Sequence, residues 1–243
     1  MQETRRLRRA GDAAAATRLE RQLHLGGPSE RRGLAQAFRG RTLRPTLTLT
    51  SGHVLNWATV QVFNVLGTTV LTSVHHVTFQ NSLLVLLVSN LVGYAGYLTH
   101  GYFGDKLGRR NVIAFGWTLG GVIYAIMLFG PDDFWTVIGL YSVAQFFQIG
   151  PYACMLFFVG ESFPTSIRAT GASVVTGIGP LGAIVASLGA ALLLKSGHGW
   201  LIAALLFGAL PCMLSGLVLL LARSVPDEAW EEEPTGGAFH MLP

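Results

Sequence analysis

Two apolar stretches of this chain carry amides and phenols at helical steps. Asn56, Gln61 and Asn64 lie in the first, with His53 one turn earlier; Gln61 and Asn64 are three apart. Tyr141, Gln145, Gln148 and Tyr152 lie in the other, at steps of four, three and four. Such steps keep side chains on one helix face. Asn and Gln each offer donors and acceptors, which suits recognition of a hydroxyl- or carboxylate-bearing solute. In hydrocarbon these groups are costly, so they must face a bundle interior or water. Two readings stay open: a face lining a solute cavity, or hydrogen bonding that only ties helices together. Covalent chemistry is poorly supplied. The sequence contains no G-x-S-x-G or G-x-S-G, no Ser/His pair placed for hydrolysis, and no phosphate-binding G-x-x-x-x-G-K-S/T. An intramembrane enzyme is therefore a remote alternative, and no metal or cofactor site is expected.

A second kind of chemistry sits in two short charged segments. Residues 101–111 read GYFGDKLGRRN and combine Gly101, Gly104 and Gly108 with Asp105, Lys106, Arg109 and Arg110. Glycines there let helix ends approach closely around a tight turn. Residues 160–171 read GESFPTSIRATG and contain Glu161, Pro164, Thr165, Arg168 and Gly171. Pro164 lacks an N–H and disfavours helix at Phe163, so the chain breaks there. Thr165 or Ser166 is expected to cap the helix that follows, and Glu161 and Arg168 to form an ion pair.

The elements that must position these residues follow from composition. Of 243 residues, 51% are hydrophobic and 12% charged, against roughly 25% charged in soluble domains. Mean hydropathy is +0.47. This is an all-α membrane protein, since about 20 apolar residues cross the hydrocarbon as a helix and the alternation of a β-barrel is missing. Stretches free of Asp, Glu, Lys and Arg give six transmembrane helices at 46–72, 81–103, 112–130, 134–159, 169–194 and 200–222. With six spans, 16 of the 17 basic residues fall on one side and only Lys195 on the other. The positive-inside rule then places both termini in the cytoplasm, with the 104–111 and 160–168 loops. The pI near 9.4 reflects this topology and not nucleic-acid binding.

Flanking and minor features complete the reading. Residues 1–25 suit a basic surface helix, and 26–45 a linker rich in Gly, Pro and Arg, so that 1–45 forms one basic cytoplasmic segment. Residues 223–243 form a short acidic cytoplasmic tail. Cys154 and Cys212 lie inside spans as small apolar residues. His53 and His100 are titratable candidates for a proton role or for a structural one, and adjacent His75 and His76 alone make a poor metal site. TGIGPLGAIVASLGA at 176–190 allows close packing and a bend, in a gate helix or a tightly packed one.

The 101–111 pattern, G-x-x-x-D-K-x-G-R-R, resembles the signature loop of the major facilitator superfamily of solute transporters. Glu161, Pro164, Thr165, Arg168 and Gly171 likewise resemble the segment between the tenth and eleventh helices of that family. The opening ETRRLRRAGDAAAATRLERQL looks like the start of the family's central cytoplasmic loop, although the proline of that element is absent. The resemblance implies the carboxy-terminal six-helix half of the facilitator fold, similar to metabolite/proton symporters and sugar porters. It further implies alternating access in a bacterial inner membrane, with Asn56, Gln61, Asn64, Tyr141, Gln145, Gln148 and Tyr152 lining the cavity and the charged residues gating it. Asp105 is then expected at the amino end of the 169–194 helix. A small organic acid, sugar or related metabolite is the implied solute, and a proton the implied coupling ion. The partner is a missing amino-terminal half or a second copy. Alternatives are a half-size protein working as a dimer and a non-transporting fragment.

Overall fold

A computed structural model of the chain describes residues 36–222. The expected surface helix at 1–25, most of the 26–45 linker and the acidic tail at 223–243 lie outside the described residues. Among the described residues all regular structure is helical. Five helices are long and apolar enough to cross a membrane: α2 (Phe79–Leu107), α3 (Arg109–Leu128), α4 (Phe134–Glu161), α5 (Arg168–Lys195) and α6 (Trp200–Leu220). A sixth, α1, is a bent pair, Gly40–Val65 followed by Gly67–Val74 at 67°.

Helix α1 departs from the sequence expectation at both ends. It begins at Gly40 with a 3-10 turn and is α-helical from Leu43, inside the segment read as linker. Pro45 does not stop it, because a proline in the first turn gives up an N–H that has no intrahelical partner. The uninterrupted span expected over 46–72 is broken at Leu66. Val60–Val65 form a π-turn, closed by Leu66 N–H donating to the Gln61 carbonyl at 3.0 Å. The wider turn frees backbone groups and redirects the chain.

The helices pack side by side. Helix α1 lies against α5 and α6, α6 against α3, and α4 against both α2 and α3. Gly179 and Gly182 of α5 are seated on α1: a Cβ at Gly179 would lie 2.2 Å from the His53 ring, and one at Gly182 1.8 Å from the Val54 carbonyl. Tight packing is therefore what Gly179 and Gly182 provide here, while Gly177 faces open space. Two apolar cores form. One gathers around Phe63, Tyr124 and Tyr141, the other around Trp117, Phe158 and Phe163. Along α4, residues 145–152 fall between the members of the two cores. The outer faces are apolar and open, with Leu87, Leu91 and Leu98 of α2 and Val185, Leu188 and Leu192 of α5 all more than half exposed. Such faces belong against lipid or another membrane body.

Candidate functional site

The polar stripes of α1 and α4 meet. Asn56, Gln145 and Gln148 have no exposed surface, and their amides join in one chain. Tyr124 donates its hydroxyl to Gln145 Oε1. Gln145 Nε2 donates to Asn64 Oδ1. Asn64 Nδ2 donates to Gln148 Oε1 at 3.4 Å, and Gln148 Nε2 to Asn56 Oδ1 at 3.2 Å. Tyr152 adds a second donor to Asn56 Oδ1 at 2.7 Å. Gln145, Asn64 and Gln148 each accept at the oxygen and donate at the nitrogen, and Asn56 ends the chain as an acceptor, so the bonds polarise one another in one direction. Tyr141 donates to the Phe63 carbonyl at the π-turn. The network satisfies most of these groups against each other.

Two of the stripes' members depart from the rest. Gln61 is half-buried and its side chain makes no hydrogen bond recorded among the described residues. Its contribution is the carbonyl that closes the π-turn. His53 is buried and accepts from Trp57 Nε1 at 3.0 Å, with its ring 6.0 Å from that of Tyr152. Sequence reasoning passed over Tyr124, Trp57 and Trp117, whose Nε1 donates to the Gln148 carbonyl at 3.0 Å. The available signal was chemical: a Tyr or Trp inside a membrane span needs a partner for its polar end.

The charged segments converge at the Leu107 end of α2 and the Glu161 end of α4, opposite the ends that begin at Phe79 and Phe134. Gly108 ends α2 with φ 87°, a left-handed conformation that favours glycine, and α3 begins at the next residue. A Cβ at Gly104 would lie 2.3 Å from Cys154 Sγ, so glycine there sets the approach of α2 to α4. Gly101 meets only ordinary contact at 3.6 Å. The turn brings Arg109 back to Asp105, with Nη2 and Nε at 2.9 and 3.3 Å from Oδ1. Arg109 also pairs with Glu161 and lies 4.8 Å from the centre of the Phe157 ring. Lys106 reaches the Tyr102 hydroxyl, and Arg110 donates to the Ala222 carbonyl at 3.1 Å. A cavity of about 380 Å³ opens beside Asp105, Arg109, Arg110 and Glu161.

Three expectations about these segments are corrected. Asp105 pairs with Arg109 and not with the amino end of α5, because the tight turn puts the nearest cation four residues away. Glu161 takes Arg109 rather than Arg168, whose Nε donates to the Phe163 carbonyl at 3.4 Å. Neither Thr165 nor Ser166 caps α5: Ile167 precedes the first turn without a side-chain cap, and its carbonyl accepts from Gly171 N–H at 2.8 Å. Pro164 does break the chain, its carbonyl closing the loop with Ile167 N–H at 3.0 Å. Gly171 is required sterically, since a Cβ would lie 2.5 Å from the Phe163 ring. His100 is held by the Gly96 carbonyl at 2.8 Å, and His75 by Asp132 at 2.9 Å. Both cysteines are free and buried.

Among known families, the family model of the Major Facilitator Superfamily matches residues 49–243. The chain belongs to that superfamily. Curated relatives are transporters of varied solutes. The chain is 32% identical over 129 residues to a gallate transporter of Pseudomonas putida, covering 53% of this chain and 28% of that protein. It is 33% identical over 93 residues to a cis,cis-muconate transport protein of Acinetobacter baylyi, covering 37% and 22%. It is 32% identical over 105 residues to a carcinine transporter of Drosophila melanogaster, covering 43% and 16%. These matches span well under half the length of each relative.

Proposed function

We propose that this superfamily member moves a small organic solute across a membrane by alternating access, as one six-helix body working against a second. The second body is either another part of the same polypeptide or a second copy. The observation that carries the reading is the buried amide network joining α1 and α4 inside an otherwise apolar bundle. Polar groups inside a membrane are retained where they serve a pathway or bind a partner, and transporter sites lie near the midplane at the junction of two bodies. The open apolar faces of α2 and α5 supply surface for that second body. Gallate and muconate, carried by the relatives, are organic acids, which favours an organic acid over a sugar as the solute.

The gathering of basic residues on one side supports a cytoplasmic position for the Asp105–Arg109–Glu161 cluster and both termini, and the reading takes the membrane to be a bacterial inner one. There the cluster acts as a latch whose ion pairs form in one access state. Coupling to protons is part of the reading. Among the described residues the carboxylates Asp105, Asp132, Asp133 and Glu161 sit in loops or at helix ends, so a mid-membrane proton carrier would come from the second body. The test is uptake by proteoliposomes of labelled gallate, benzoate and glucose, with and without an imposed proton gradient. Gradient-driven accumulation of an organic acid is the expected result. Equal passive entry of all three in protein-free and protein-containing vesicles would reject transport.

A further inference from the structure

We infer that His53 and Asn56 form a donor pair that receives the carboxylate of the transported solute. The inference rests on the transport reading and assigns the chemistry of its binding site.

The argument starts from the tautomer of His53. Trp57 Nε1 can only donate, and it donates to His53 Nε2 at 3.0 Å. A ring nitrogen that accepts carries no proton, so the neutral imidazole carries its proton on Nδ1. That Nδ1 is buried and without a hydrogen-bond partner. The Nε2 and Cδ2 edge of the ring faces Gly179 of α5, so the Nδ1 edge is turned away from that packing contact.

Asn56 reaches the same state from the other side. Its orientation is fixed by the amide chain. Gln148 uses Oε1 for Asn64, which turns Gln148 Nε2 towards Asn56. Tyr152 adds its hydroxyl to the same oxygen. Asn56 Oδ1 therefore accepts twice, and Asn56 Nδ2 is left buried with no partner. The chain that begins at the Tyr124 hydroxyl ends in an unused donor at Asn56. One helical turn away lies the unused donor of His53, and Tyr152 touches both residues.

Buried donors without acceptors are rare and costly. Two on one face, three residues apart, define what is wanted there: a group that accepts and does not donate. The pair's own acceptors are full: His53 Nε2 has its single lone pair engaged by Trp57, and Asn56 Oδ1 accepts twice. A sugar hydroxyl would find no acceptor at His53 or Asn56 for its own proton. A carboxylate brings two acceptor oxygens and no donor. The described cations, such as Arg44, Arg109, Arg110 and Lys195, all lie at helix ends or in loops, so a singly charged, delocalised anion suits the pair better than a phosphate dianion. The Tyr152 ring stands 6.0 Å from that of His53, and Trp117 stands edge-on to Tyr152 at 5.5 Å.

The experiment is equilibrium binding of radiolabelled benzoate to the purified 243-residue chain in lipid nanodiscs, with benzamide, glucose and inorganic phosphate as competitors. Benzamide has the same ring and adds donors where benzoate has only acceptors. Benzoate is expected to bind at least about tenfold tighter than benzamide, the scale of one hydrogen bond to a charged group. Asn56→Asp keeps an oxygen for Tyr152 and Gln148 but replaces the donor by a negative acceptor. His53→Phe keeps a ring against Gly179 but has no donor. Each is expected to weaken benzoate at least about tenfold and to bring the benzoate-to-benzamide ratio close to one. Thermal unfolding of each variant, measured alongside, separates a lost donor from a lost fold. A wild-type chain that fails to bind benzoate, or an unchanged ratio in either folded variant, would overturn the pair. Binding of glucose or phosphate without benzoate would do the same and leave transport standing. Selective benzoate binding with no vesicle uptake would keep the pair and remove the transport reading.

Discussion

The hydroxyl of Tyr141 on α4 donates to the carbonyl of Phe63 on α1, within the π-turn that precedes the 67° bend. Tyr141 has no exposed surface, and its oxygen would lie 2.6 Å from a Cβ placed on Gly67. One phenol thus holds the break in α1 and sets the size of the residue beyond it. Tyr141→Phe removes one buried hydrogen bond without changing shape and is expected to cost about 1–2 kcal/mol. Gly67→Ala drives a methyl against Tyr141 and Leu86 and is expected to cost about 1–3 kcal/mol. Thermal unfolding of both variants in detergent checks the pair. Because both act on one contact, the double variant should cost less than the sum.

The Asp105–Arg109–Glu161 cluster is predicted to matter for rate more than for stability. Asp105 and Glu161 have largely exposed carboxylates, and exposed ion pairs contribute at most about 1 kcal/mol. Asp105→Asn should leave the unfolding midpoint nearly unchanged. A latch formed in one access state biases a conformational equilibrium, so uptake should fall while solute binding stays within about twofold. Parallel binding and uptake measurements decide this, and uptake equal to wild type would reduce the cluster to a topological marker. Asp105→Asn combined with Glu161→Gln leaves Arg109 without either carboxylate and should show the larger effect.

Much of this was legible in the residues. Steps of three and four along 141–152, with the cost of amides in hydrocarbon, identified the face of α4 that meets α1. Glycine at 104, 108 and 171 marked positions where a side chain has no room or the backbone turns left-handed. What the pattern did not show was pairing. Nothing local says that Gln148 takes Asn56 and Asn64 together, or that Asp105 turns to Arg109 instead of a distant helix end, because those choices depend on how helices rotate against one another. The break at Leu66 was hidden for the same reason: no proline marks it, and Tyr141, which holds it, lies 78 residues away from Phe63. At the start of α1, residues 40–45 read as linker because the place of Pro45 in the first turn was not visible until the helix start was known.

Topology is open to a direct check. Cys154 and Cys212 are free and buried, so the unmodified chain should react little with an impermeant thiol reagent. Leu107→Cys sits at an exposed position beside Gly108 and should react only when the cytoplasmic face is accessible. Ser196→Cys, exposed between α5 and α6, should react from the outside of intact cells. Both predictions follow from the basic residues gathered on one side. Strong external labelling at position 107 would invert the assignment.

Gln148 is the residue whose loss the amide chain tolerates least. It accepts from Asn64 Nδ2, donates to Asn56 Oδ1, and offers its carbonyl to Trp117. Gln148→Ala deletes the first two bonds, leaving the half-buried Asn64 Nδ2 without a partner and Asn56 Oδ1 with Tyr152 alone, at about 1–3 kcal/mol for the lost partner, and opens a cavity where the side chain stood. A loss of roughly 2–4 kcal/mol is expected, a large share of the stability of an ordinary domain. Gln148→Glu is the informative companion. A carboxylate still accepts from Asn64 but cannot donate to Asn56, so Asn56 is free to turn its amide and the one-way order of the chain is lost at its last link. That variant should unfold closer to wild type than Gln148→Ala, yet bind an anionic solute worse, because the Asn56 donor is no longer held in place and a negative charge now stands beside it. Unfolding midpoints and benzoate affinity measured on the same two preparations separate these effects. If Gln148→Glu matched wild type in affinity, the orientation of Asn56 would not govern binding, and the amide network would serve only to join α1 to α4.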